Sequence, residues 1–169
     1  MIHKLLGVIL VTVSCGAVGF KSAQGFKKNL SALEELSDIL NYMEWELKSR
    51  LTPLPQLCRQ AAEHGKTLRQ FFLNFSKELD GQISPNAAIC MQITILHSSE
   101  VCNSVKPLLQ EIGELLGKFD LPEQLSSLDA VRQKCLQILA NMRKDQDIRI
   151  RNYQTLGLCA GAAIAILLL

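Results

Sequence analysis

The chain has 169 residues, 48% of them hydrophobic, and a formal net charge of +2, a length that holds one folded domain and not two. The charge is partitioned: residues 1–28 carry four lysines and no acid, residues 29–142 carry 10 basic and 14 acidic groups, and residues 143–169 carry four basic and two acidic groups. An acidic middle between basic edges excludes nucleic acid as a partner, because no basic stripe crosses the folded part.

The first element is apolar. Sixteen residues between Lys4 and Lys21 carry no charge, slightly fewer than the ~20 that a spanning helix needs. Lysines at both ends can snorkel and lengthen the span. The segment predicts an N-terminal transmembrane anchor over residues 1–21. A cleaved signal peptide is the alternative, although no A-x-A site follows the apolar run. A lipoprotein signal would modify Cys15 after Thr12-Val13-Ser14, and Thr12 stands where such signals carry a larger aliphatic residue.

Residues 22–152 predict a cytoplasmic helical domain, a bundle of about six helices. Leu30, Leu33, Leu36, Leu40, Met43 and Leu47 recur at three- and four-residue steps, giving a helix over about 29–50. Ile39, Tyr42 and Trp45 add a second apolar face. The carboxylates Glu34, Glu35, Asp38, Glu44 and Glu46 spread around this helix and predict a solvated face. Thr52-Pro53-Leu54-Pro55 breaks it; Thr52 suits a cap and Pro53 a first turn. The short second helix ends near His64-Gly65, where Gly65 predicts a left-handed stop. Thr67-x-x-Gln70 has the form of a capping box, opening a third helix on Leu68, Phe71, Phe72, Phe75 and Leu79. Asp80-Gly81 ends it.

Ser84-Pro85 predicts the start of a fourth helix through Ala88, Ile89, Ile93, Leu96 and Val101. A fifth covers about 104–118 on Leu108, Leu109, Ile112, Leu115 and Leu116. The sixth opens at Asp120-Leu121-Pro122-Glu123, with an acidic cap and a carboxylate three residues on. Its apolar line is Leu125, Leu128, Val131, Cys135, Ile138, Leu139 and Met142. Neither Gly nor Pro interrupts the chain from there to Gly157. No stretch alternates with period two long enough for a strand, so the fold class is all-α.

Residues 153–169 predict a C-terminal transmembrane anchor, uncharged throughout, with Tyr153 at the interface. Gly157 and Gly161 put small residues on one face, as helices packing in lipid do. Lys21, Lys27, Lys28, Arg143, Lys144, Arg149 and Arg151 all lie on the middle-domain side of the two anchors, against Lys4 and the amino terminus opposite. The positive-inside rule therefore predicts a cytoplasmic middle domain.

Residues with chemistry are sparse. No phosphate loop, H-E-x-x-H or G-x-S-x-G occurs. The six cysteines form no C-x-x-C pair and have no His at metal-ligand spacing, which predicts reduced thiols with neither a disulfide framework nor a metal site. His97 and Cys102 stand roughly 500° apart around a helix axis, poorly placed for a catalytic dyad. The expectation is a non-enzyme with no cofactor and no small-molecule substrate. Glu78, Asp80, Glu111, Glu114, Asp120 and Glu123 cluster near helix ends. They are candidates for an acidic surface that meets a basic partner, although capping and solubility are the favoured reading of such groups at helix ends.

The order of these features resembles a family. Lys4-Leu5-Leu6-Gly7 opening an anchor, Thr52-Pro53-Leu54 after a long helix, Leu116-Gly117 followed by Asp120 and Gln124, and Leu156-Gly157 opening a terminal anchor together resemble stage III sporulation protein AB over essentially the whole chain. The resemblance implies a scaffold of the channel apparatus between mother cell and forespore, in the mother-cell membrane around the forespore. It further implies a helical domain like those of type II secretion platform proteins, and as partners a cytoplasmic ATPase and other membrane proteins of the channel complex. Thr52, Pro53, Leu54, Leu116, Gly117, Asp120 and Gln124 would be the family's signature, structural in character. A secreted or lipid-anchored binding protein with a processed signal is the competing function.

Overall fold

A computed structural model describes residues 2–81, 86–116 and 120–144, together with 151, 152, 155, 156 and 159; side chains are described at Lys21 and from Gln24 onward. Six α-helices run in order through them: α1 (Ile2–Arg50), α2 (Leu54–Glu63), α3 (Arg69–Asp80), α4 (Ala87–His97), α5 (Lys106–Leu115) and α6 (Leu121–Lys144). No strand occurs among the described residues. The chain divides into two compact units, Asn29–Ala140 and a second made of Met1–Lys28 with Asn141–Leu169.

The first helix departs from expectation in length. A separate helix beginning near residue 29 was predicted, whereas α1 is one helix of 49 residues. The only candidate breaker between Lys21 and Asn29 is Gly25, and a single helical Gly costs about 1 kcal/mol relative to Ala. Strong helix formers on both sides outweigh that. Among the described residues no helix is long and apolar enough to cross a membrane. The side chains of residues 1–20 and most of 153–169, where both anchors are expected, lie outside the described residues, as do Gly157 and Gly161.

Within Asn29–Ala140 the core follows the heptad-like spacing of α1. Leu30, Leu33, Leu36, Ile39, Leu40, Met43 and Leu47 are all buried. Leu68, Phe71, Phe72, Phe75 and Leu79 around α3, Leu108, Leu109 and Ile112 of α5, and Leu128, Val131, Cys135 and Leu139 of α6 are buried as well. The Cys135 thiol donates to the Leu33 carbonyl at 3.3 Å, and Arg132 Nε donates to Glu44 Oε1 at 2.9 Å, fixing α6 against α1. Arg59 of α2 donates to Ser76 Oγ at 3.0 Å and pairs with Asp80, fixing α2 against α3.

Three terminus assignments are corrected. Thr52 does not cap α2: Pro53 holds the cap position without a side-chain bond, and Pro55 falls in the first turn. The Thr52 hydroxyl donates instead to Glu46 Oε1 at 2.8 Å. Thr67 and Gln70 form no capping box, since Leu68 is the cap residue of α3 and Gln70 donates to Asn74. Their place is taken by Glu35, which accepts from the backbone N–H groups of Lys66, Thr67 and Leu68 at 2.6, 3.0 and 2.6 Å. A carboxylate shared by three N–H groups satisfies more donors than a neutral cap can, and with charge-assisted bonds. Gly65 is not left-handed; a Cβ there would lie 2.9 Å from Glu35 Oε1 and 3.0 Å from the Arg69 nitrogen. Its absence of a side chain lets the carboxylate approach. The left-handed residue is Leu51, with φ 54°, at the end of α1.

The fourth helix is corrected in phase. Its buried face is Ala87, Cys90, Met91, Thr94 and Ile95, while Ile89 is 50% and Leu96 83% exposed. Gly113 of α5 selects this face: a Cβ at 113 would fall 2.5 Å from Met91 Cβ, so the two helices touch there. Asn86 caps α4, its side-chain oxygen accepting from Ala88 and Ile89 N–H at 3.1 and 3.4 Å; Ser84 and Pro85 lie outside the described residues. The helix also stops at His97, short of Val101, and α5 is shorter than the 104–118 expected.

Candidate docking surface

The six acidic residues singled out by sequence have unlike surroundings. Asp80 is paired with Arg59, and Glu111 accepts from Lys134 Nζ at 2.7 Å. Glu78 is half-buried beside α4; burial, with the Glu78 charge as a smaller cause, pushes the Cys90 thiol above its ordinary range. Glu114, Asp120 and Glu123 are exposed. No described contact joins any two of the six among the described residues.

The signature positions sit at two turns. Thr52 is buried between α1 and α2, Pro53 is exposed and Leu54 opens α2. Leu116 is buried, the Asp120 carbonyl accepts from the Gln124 N–H at 2.9 Å, and Gly117 lies outside the described residues. The Thr52 partner, Glu46, is 1% exposed; its second oxygen has no hydrogen-bond partner, and the Arg50 guanidinium stands 3.8 Å from the first. Two of the five carboxylates expected on a solvated face, Glu35 and Glu46, thus hold turns together.

A second kind of surface was missed. The Arg50 guanidinium lies over the Trp45 ring, 5.9 Å from its centroid, and Trp45 is 55% exposed. Beside it, Asn41, Glu44, Trp45 and Lys48 of α1 and Leu125 and Ser126 of α6 line a groove of about 410 Å³. Exposed apolar groups also occur at Leu51, Ile89 and Leu96, so the middle domain is not confined to charge for making contacts. The stripe Ile39-Tyr42-Trp45 was the available signal, but a sequence cannot say which end of a stripe remains uncovered.

Residues able to run chemistry are dispersed. His97 is exposed at the end of α4 and Cys102 half-exposed in the turn that follows. Burial pushes the Cys58 thiol up to about 12 and that of Cys135 to about 11. No group of three or more His, Cys, Asp or Glu able to hold a metal ion occurs among the described residues. The groove beside Trp45 is lined by two apolar and four polar residues, with separate charged groups elsewhere on the described surface.

Residues 4–169 match the family described as stage III sporulation protein AB. No curated protein and no solved structure matches the chain.

Proposed function

The chain belongs to the stage III sporulation protein AB family, and from that membership we propose that this sporulation protein is a non-enzymatic membrane scaffold of the mother cell–forespore channel apparatus. In this role it holds a cytoplasmic ATPase to the membrane components of the channel. The single observation that carries the reading is α1. One unbroken helix, Ile2–Arg50, includes both the uncharged residues 5–20 and the face from Leu30 to Leu47 that builds the bundle. A bundle whose first helix begins in an uncharged segment suits a part held at a membrane.

Anchors at residues 1–21 and 153–169 span the mother-cell membrane around the forespore, with the helical domain in the cytoplasm. Seven basic residues on the domain side support that orientation. Glu114, Asp120 and Glu123 supply exposed negative charge towards the partner, since Arg59 and Lys134 already neutralise Asp80 and Glu111.

Topology tests the proposal. With the chain produced in the plasma membrane of a non-sporulating host, protease added to intact protoplasts should leave the domain whole and cut it only after permeabilisation. Digestion beforehand, or a mature chain beginning at Cys15, would replace the scaffold by an outward-facing or lipid-anchored binding protein.

A further inference from the structure

Charge separates along the same line as the fold. The two chain ends, Met1–Lys28 and Asn141–Leu169, belong to one compact unit, which carries eight Lys and Arg against two Asp. The unit Asn29–Ala140 carries 10 basic and 14 acidic residues. Two basic runs that the sequence holds at opposite ends are therefore gathered into one unit, and positive charge is concentrated there.

The two units also differ in how their cations are compensated. In the helical domain Arg50, Arg59, Arg132 and Lys134 each stand against a carboxylate. In the terminal unit Lys21, Lys27, Lys28, Lys144 and Arg151 are exposed, and none has an acidic partner among the described residues. Like charges gathered without counter-charges repel one another, and an anion bound among them relieves that repulsion.

Position narrows the choice of anion. Residues 5–20, immediately before Lys21, and residues 152–169, immediately after Arg151, carry no charged side chain. Lys21 and Lys28 both lie in α1, two turns apart on one face and about 10 Å along the axis. That distance is about one Debye length, so both lysines feel the charge of the surface at which the uncharged segment ends. Phosphates at such a boundary belong to lipid headgroups.

We infer that the basic groups of the terminal unit bind the headgroups of anionic phospholipids, so that the chain selects these lipids from a mixed bilayer. This rests on the anchor reading above and adds to it a lipid class and the residues that recognise it. The ammonium groups donate to headgroup phosphates, and their charge favours a lipid with net negative charge over a zwitterionic one.

The test uses the full chain reconstituted in phosphatidylcholine vesicles with a trace of spin-labelled phosphatidylglycerol or spin-labelled phosphatidylcholine. Electron paramagnetic resonance reads the fraction of each label immobilised against the protein. Phosphatidylglycerol should be favoured about fivefold, the weight of one Lys near an anionic surface, and the preference should fall as salt rises. Lys21→Gln, Lys27→Gln, Lys28→Gln and Lys144→Gln combined should remove most of it. Lys48→Gln, Lys66→Gln, Arg69→Gln and Lys77→Gln combined take as much charge from exposed positions of the helical domain and should leave it unchanged. Equal immobilisation of the two labels by the wild-type chain would overturn the inference, as would a preference that survives the first set of changes. Loss of the preference to inorganic phosphate at constant ionic strength would assign these groups to a free phosphate and overturn the lipid. An alkaline carbonate wash separates the two readings. Release from the vesicles would remove the anchors and the inference with them, whereas a retained chain without preference would remove the inference alone.

Discussion

Thr52 donates its hydroxyl proton to Glu46 at 2.8 Å, and both side chains are buried where α1 turns into α2. A hydrogen bond to a charged, water-excluded carboxylate is worth about 1.5–3 kcal/mol. Thr52→Val keeps the shape and removes the donor, so it should lower unfolding stability in urea by that amount. Thr52→Ser keeps the donor and should lose much less. Loss in Thr52→Ser with none in Thr52→Val would mean that the methyl group, and not the bond, holds the turn.

Phe72 is fully buried, with its ring set edge-on to Phe71 at 5.6 Å between centroids. Truncation to Ala removes most of the side chain and leaves a cavity that a rigid bundle fills poorly. Phe72→Ala should cost about 3–5 kcal/mol in the same urea experiment. A loss under about 1 kcal/mol would show that α3 is not central to the core.

Gly113→Ala sets two effects against each other. Helix propensity favours Ala by about 1 kcal/mol. The new Cβ, however, would sit 2.5 Å from Met91 Cβ and 2.8 Å from Met91 Cγ. Overpacking of this kind costs about 1–3 kcal/mol, and the contact involves the root of the Met91 side chain, which has little room to swing away. The variant should be destabilised in urea unfolding, and Met91→Ala in the same chain should not restore the loss, because the nearest atom, Met91 Cβ, remains.

Thiol reactivity should follow burial. At pH 8 a thiol raised to about 12, as at Cys58, is ionised in about one molecule in ten thousand. Iodoacetamide should therefore modify half-exposed Cys102 in the folded chain and leave Cys58 and Cys135 untouched, with all three reacting in urea. Because both shifts are upward, raising the pH to 9 should not expose either buried thiol. Modification of Cys58 at pH 8, located by mass spectrometry, would mean that α2 opens readily.

Local spacing made the helices of this fold legible, and the face of α3 with them. Phe71, Phe72 and Phe75 leave only one way for that helix to lie. The fourth helix was not legible, because it is apolar on both sides. Ile89, Ile93 and Leu96 satisfy a three-and-four spacing as well as Cys90, Met91 and Thr94 do. What decides between the two phases is the bare backbone of Gly113, more than twenty residues away. Glu35 and Glu46 were misread for a related reason. A carboxylate on a helix looks solvated until the chain returns with donors for it, and for Glu35 those donors come from Lys66 to Leu68. The groove at Trp45 depends on where α6 comes to rest, which no periodicity in α1 records.

The clamp made by Glu35 also constrains how this sequence can drift. Gly65 leaves room for the carboxylate, and the carboxylate gives three otherwise unpaired N–H groups their acceptor. Either residue changed alone wastes the other: a side chain at 65 displaces the oxygen, and a shorter side chain at 35 strands the loop. Once Glu35 is gone, the bareness of position 65 towards it has no further use. The two positions are therefore coupled, and the losses from changing both should sum to less than the two single losses.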